Sequence, residues 1–243
     1  MKTNRFLYDY SVVAFVLFFA FALWAFWPSY YSHLGDQEEV RFHTHGIAMT
    51  LWCMMLIGQA WLIRKKRFVL HRRLGRLSYI LMPVLLILTL NLIHHQLSGR
   101  GGWNPLSLYS LALMVNATIV LAILYGLAIY HRRRPLLHAR YMLATVFPLF
   151  TPVTDRLIYA HFRPLLNYLP VLEGRPIAPV AGFLLADLLL LFLVYWDWKT
   201  HQRLDVFPKV LALLVGYHFS VLSFYRFGFW ERFGNWFLSL PLS

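Results

Sequence analysis

The chain has 243 residues, of which 59% are hydrophobic and 18% aromatic while only 14% are charged. Soluble domains carry about 25% charged residues, so a chain with a mean hydropathy of +0.55 lacks the polar surface of a water-soluble fold, and it is too apolar for intrinsic disorder. The net charge of +13 is not a nucleic-acid signal, because the cations lie between apolar runs and not on a basic face. An integral membrane protein is expected, with no nucleic acid among its partners.

A hydrocarbon core about 30 Å thick calls for about 20 mostly apolar residues per helix. Segments near 7–28, 43–63, 77–97, 105–130, 138–161, 177–198 and 206–227 meet that need. The fold class expected is therefore all-α: a polytopic seven-transmembrane-helix bundle forming a single membrane domain over residues 1–243. The first segment reads as a retained helix, being too long and aromatic for a signal peptide and lacking a small-residue cleavage site after Phe26-Trp27-Pro28. Pro148 and Pro152 interrupt the fifth helix just before Thr154-Asp155-Arg156. The following loop carries Pro164, Pro170, Gly174 and Pro176, which favour turns. The tail, 228–243, sets Phe229, Trp230, Phe233, Trp236 and Phe237 around Glu231 and Arg232, a composition suited to an interfacial helix.

Seven helices place 16 of the 23 Lys and Arg residues on the face of the N-terminus, including Arg64-Lys65-Lys66-Arg67 and Arg132-Arg133-Arg134, and 7 on the other. Positive loops stay cytoplasmic, so the N-terminus is expected inside and the C-terminus outside a cell membrane. Anionic head groups at the cytoplasmic face are expected partners of the basic loops. Cys53, the only cysteine, lies in an apolar run, so no intrachain disulfide exists.

Eleven histidines sort by this topology. His71, His131, His138 and His201 fall among arginines at the inner edge, where anchoring to lipid phosphates is the expectation. His33, His43, His45, His94, His95 and His161 fall toward the outer edge, and His218 lies within the seventh helix. On the second helix His45, Met49, Trp52, Leu56 and Gln59 form one stripe; Asn91 is followed by His94 and His95 at three and four residues; Asp155 and Tyr159 share a face of the fifth. Interfacial histidines also hydrogen-bond water and head groups without further function. Two chemistries would use them otherwise. A b-type haem takes two neutral imidazoles on facing helices in an apolar pocket, with arginines for its propionates; His45, His94, His95, His218 and Arg156 are the candidates. A transition-metal site takes three or four ligands, from His45, His94, His95, His218 and Asp155. Asp187, at mid-helix in the sixth segment, is expected to be protonated or paired, with Asn116 or Thr118 as neighbours or as part of a proton relay. The scattered Met residues read as core filler.

The stretch His43-Thr-His45-Gly46, then Trp52, Gln59 and Ile63, then His71-Arg72-Arg73-Leu74-Gly75-Arg76 resembles a signature of uncharacterised bacterial multi-pass membrane proteins, and His138-x-Arg140-x-Met142 resembles their second signature. That resemblance implies a bacterial inner membrane and carries no reaction. A more distant likeness is to haem-binding transmembrane cytochromes of the ascorbate-dependent type, which implies an outer haem here. Seven-helix intramembrane zinc hydrolases are similar in outline, but His218 has Leu214 and Leu222 where they place a second histidine. The function expected is membrane electron transfer through an outer-leaflet histidine cluster holding haem b or a transition metal, with quinone as a partner. The alternatives are a cofactor-free accessory subunit or assembly factor of a larger membrane complex, and a zinc-dependent intramembrane lipid hydrolase.

Overall fold

The computed structural model describes residues 5–99 and 101–242, and of residues 5–9 the backbone alone. Lys2 and Arg100, and the side chains of Arg5 and Asp9, lie outside the described residues. The chain is about 80% helical. Helices run α1 Arg5–Phe26, α2 Val40–Arg64, α3 Phe68–Gly75, α4 Ser78–Ser98, α5 Pro105–Tyr130, α6 Pro135–Ala144, α7 Phe147–His161, α8 Pro179–His201, α9 Phe207–Ser223 and α10 Gly228–Ser239. Among the described residues five helical stretches, 40–64, 68–98, 105–130, 179–201 and 207–226, are long and apolar enough to cross a membrane. This is a helical membrane protein.

Apolar runs predict these helices because a backbone in hydrocarbon must satisfy its own N–H and C=O groups. The fifth predicted segment differs: it starts earlier, at Pro135, and splits into α6 and α7 around Thr145-Val146. Proline supplies the reason. Pro148 has no N–H to give to the carbonyl of Ala144, so the α6 ladder ends there, and Pro148 sits in the first turn of α7 where an N–H would be unused anyway. The Pro-rich loop after α7 forms a small antiparallel hairpin, Val171–Leu172 (β1) with Arg175–Pro176 (β2). Glu173 and Gly174 turn it with φ of 49° and 75°, the left-handed pair that matches strand twist.

The chain groups into two compact units, Met1–Thr89 and Leu90–Ser243. In the first, α2 packs on α1 and on α3. The predicted α2 stripe faces its interior: Trp52 is fully buried and Leu56 nearly so, with His45, Met49 and Gln59 half-buried along it. Gly46 lets the Tyr30 ring dock, since a Cβ there would lie 2.3 Å from the ring, and the Tyr30 hydroxyl donates to the His43 carbonyl at 3.1 Å.

In the second unit α5 packs on α6, α7 and α9, and α8 on α7 and α9, around Leu111, Leu124, Leu190, Leu214 and Val221. Gly182 of α8 lies so close to α7 that a Cβ would meet Thr154 Oγ1 at 2.3 Å and the Thr151 backbone at 3.0 Å. Small residues at such crossings let membrane helices approach. The tail helix α10 folds back on this unit: Trp230 Nε1 donates to the Leu108 carbonyl at 3.0 Å, and Asn235 Oδ1 accepts from Trp103 Nε1 at 2.7 Å. Its Phe229 and Trp236 stay exposed.

Candidate functional site

Asp187 sits on α8 within Leu184-Leu185-Ala186-Asp187-Leu188-Leu189, and His218 on α9. The two meet in the second unit: His218 Nδ1 lies 3.1 Å from Asp187 Oδ2. Phe183, one turn before Asp187, stacks on the imidazole with centroids 4.1 Å apart at 21°, which fixes the ring plane. Only 6% of His218 is exposed. A carboxylate accepting at Nδ1 places the imidazole proton there, so the neutral ring carries its lone pair on Nε2. Nε2 is buried without a hydrogen-bond partner, and so is Asp187 Oδ1. Each orphaned polar atom in a buried site costs on the order of 1–3 kcal/mol and calls for an explanation.

Asn116, expected as a neighbour of Asp187, is instead hydrogen-bonded to Ser220 of α9 at 2.8 Å. Tyr217, buried beside His218, donates its hydroxyl to the Leu113 carbonyl at 3.2 Å. These bonds tie α9 to α5 and hold His218 in register.

The other predicted ligands fall elsewhere. In the first unit the His45 Nδ1 is 3.2 Å from Thr89 Oγ1, and that hydroxyl spends its one proton on the Leu85 carbonyl at 2.7 Å. His45 must therefore donate from Nδ1, and its lone pair too is on Nε2. In the second unit His94 is turned to the tail: its Nε2 donates to the Leu238 carbonyl at 3.2 Å, with Ser98 Oγ 3.3 Å from Nδ1 and Phe237 edge-on at 5.6 Å. Asn91 donates to the Leu242 carbonyl on the same face. His95 is half-buried, Asp155 is half-buried on α7, and Arg156 is exposed. Among the described residues no three His, Cys, Asp or Glu side chains gather as metal ligands. The expected transition-metal set is thus not gathered among the described residues: His94 turns to the Leu238 carbonyl and His45 to Thr89.

Two stretches singled out in the sequence, around Arg140 and around Gln59 and His71, prove to be structural locks. Arg140, counted among the loop cations, is fully buried and forks onto Asp197 of α8, with Nε–Oδ2 at 2.8 Å and Nη2–Oδ1 at 2.6 Å. Arg140 Nη1 also reaches the Leu136 carbonyl at 3.0 Å, and His201 Nδ1 lies 3.0 Å from Asp197 Oδ1. His138 lies 2.8 Å from the Ala128 carbonyl of α5 through Nδ1, so it binds protein where lipid phosphate was expected. The first signature closes the α2–α3 corner: the Gln59 amide, oriented to satisfy both its ends, donates to His71 Nδ1 and accepts from Gly75 N–H at 3.0 Å. The Arg140–Asp197 pair was missed by sequence reasoning. Its signal was an acidic residue near the end of an apolar helix, four residues before a histidine.

No protein-family model, no curated protein and no solved structure matches the chain.

Proposed function

We propose that the protein is a seven-helix integral membrane protein, with α1, α2, α4, α5, the broken α6–α7 pair, α8 and α9 as its spans. Its N-terminus is cytoplasmic, and it serves membrane electron transfer by holding a b-type haem through His218. One observation carries the reading: an imidazole deep in the apolar part of the second unit, pinned through Nδ1 by Asp187, with its Nε2 buried and unpartnered. Ionisable groups at membrane depth are rare and usually functional. A carboxylate on the far nitrogen orients a ligating imidazole and raises its basicity, and His218 Nε2 is the atom that would hold a haem iron.

The chemistry of the donors favours haem over a zinc centre. A zinc hydrolase needs three protein ligands and an open position, whereas a b-type haem would take two imidazoles, of which His218 supplies one. When bound, haem provides a one-electron couple; the residues of this chain would orient it, shield it with Phe183, and offer Arg156 to a propionate. Quinone, dissolved in the same bilayer, is the partner such a couple serves.

A reduced-minus-oxidised optical spectrum of the purified protein tests this. The reading expects Soret and α bands of a b-type haem. Their absence from protein produced with ample haem would leave the accessory-subunit reading, which a stably co-purifying membrane partner would support.

A further inference from the structure

The α2–α3 corner of the first unit is a surface that the redox reading does not use. Lys66, with φ of 57°, turns the chain after α2 so that α3 begins at Phe68. Lysine adopts that backbone reluctantly, and the surrounding bonds hold it: Arg67 N–H donates to the Leu62 carbonyl at 2.8 Å, and Gln59 bridges His71 and Gly75. That bridge turns the His71, Leu74 and Gly75 stripe inward, where all three are half-buried.

The rest of α3 and its C-terminal flank is exposed. Phe68, Leu70 and Leu77 are 49%, 45% and 53% exposed. Leu70 and Leu77, seven residues apart, share a stripe, and the stripe of Arg72, Arg73 and Arg76 adjoins it. With Lys65, Lys66 and Arg67 this makes six exposed cations and no acidic residue between 65 and 76. An apolar stripe beside a cationic one suits a helix lying in the head-group layer, and guanidinium binds phosphate oxygens in a fork.

We propose that α3 and the turn before it bind the phosphate head groups of anionic phospholipids, with the arginines on the phosphates and Leu70 and Leu77 seated at the acyl boundary. Free phosphate would leave those leucines in water, so the lipid is the occupant. The inference is independent of the haem reading, because no residue is shared.

Native mass spectrometry of the full chain in non-ionic detergent tests it, with short-chain phosphatidylglycerol, phosphatidylcholine of the same chain length and inorganic phosphate as probes. Phosphatidylglycerol is expected to bind at least about tenfold more tightly than phosphatidylcholine at low salt, as cations near a charged surface dictate. Arg72→Gln, Arg73→Gln and Arg76→Gln together should weaken it roughly a hundredfold, while the three lysine replacements retain most of the binding. Lys65→Gln with Lys66→Gln, outside the helix, should weaken it about tenfold and covers the case in which the helix variant does not fold. Equal binding of the two lipids, or glutamine variants that bind as the wild type does, would overturn the proposal. So would displacement of phosphatidylglycerol by inorganic phosphate, which would make the site a free-anion site.

Discussion

Replacing Arg140 by Met removes one half of a charge pair that has no water to fall back on. Arg140 is fully buried and the Asp197 side chain is 2% exposed, joined by two bonds of 2.8 and 2.6 Å. Loss of one partner strands the other as a buried charge, at about 3–5 kcal/mol. Asp197 would keep only His201, 3.0 Å away. At this chain length 1 kcal/mol moves the midpoint about 2–4 °C, so Arg140→Met should lower the thermal midpoint in detergent by about 6–20 °C. Asp197→Leu alone should cost a similar amount, because it takes the carboxylate from a fully buried guanidinium. The double variant should cost far less than the sum, since neither charge is then left unpaired. Single variants that shift the midpoint by less than about 2 °C, or a double variant whose cost equals the sum, would refute the reasoning.

Gly182→Ala puts a methyl group against Thr154 and the Thr151 backbone; overpacking of this kind costs about 1–3 kcal/mol, which a thermal melt would register as a drop while Gly216→Ala, with open space around it, would register none from packing. Reporter fusions should be active in the cytoplasm at the N-terminus and outside at the C-terminus, and the reverse pattern would invert the topology. In the loop between α8 and α9, burial alone would raise the Asp205 carboxyl, but the hydrogen bond and charge of Arg203 hold it below the ordinary carboxylate range. A depressed folded value means that its contribution to stability is complete above the unfolded value near about pH 4 and is lost as pH falls through the folded one. Melts across that acid range should therefore lose less stability in Asp205→Asn than in the wild type, and parallel profiles would remove the ion pair from the account.

The apolar runs made the helices legible because length and hydropathy are local properties: α5 spans the predicted 105–130, and Pro148 announced the break between α6 and α7, whereas Pro152 lies inside α7 without ending it. The α2 stripe was legible too, because helical periodicity alone puts Trp52 and Leu56 on one face. What composition hid was pairing across helices. Asp187 and His218 are 31 residues apart, and Arg140 and Asp197 are 57 apart; each residue shows its chemistry in the sequence, but its partner depends on which faces meet. His94 was beyond reach for another reason. Its acceptor is the backbone carbonyl of Leu238, and a carbonyl is the same at every residue. Arg140, one of the cations expected at the inner rim, belongs instead to the core.

The central claim rests on the nitrogen of His218 that faces away from Asp187. Haem content per mole of protein, measured by pyridine haemochromogen on wild type, His218→Ala and Asp187→Asn purified side by side, tests it most directly. The account predicts haem in the wild type, none in His218→Ala, and reduced content with a shifted midpoint potential in Asp187→Asn, where the imidazole loses its anionic partner. A wild type without haem, or a His218→Ala variant that keeps the full complement, would contradict it.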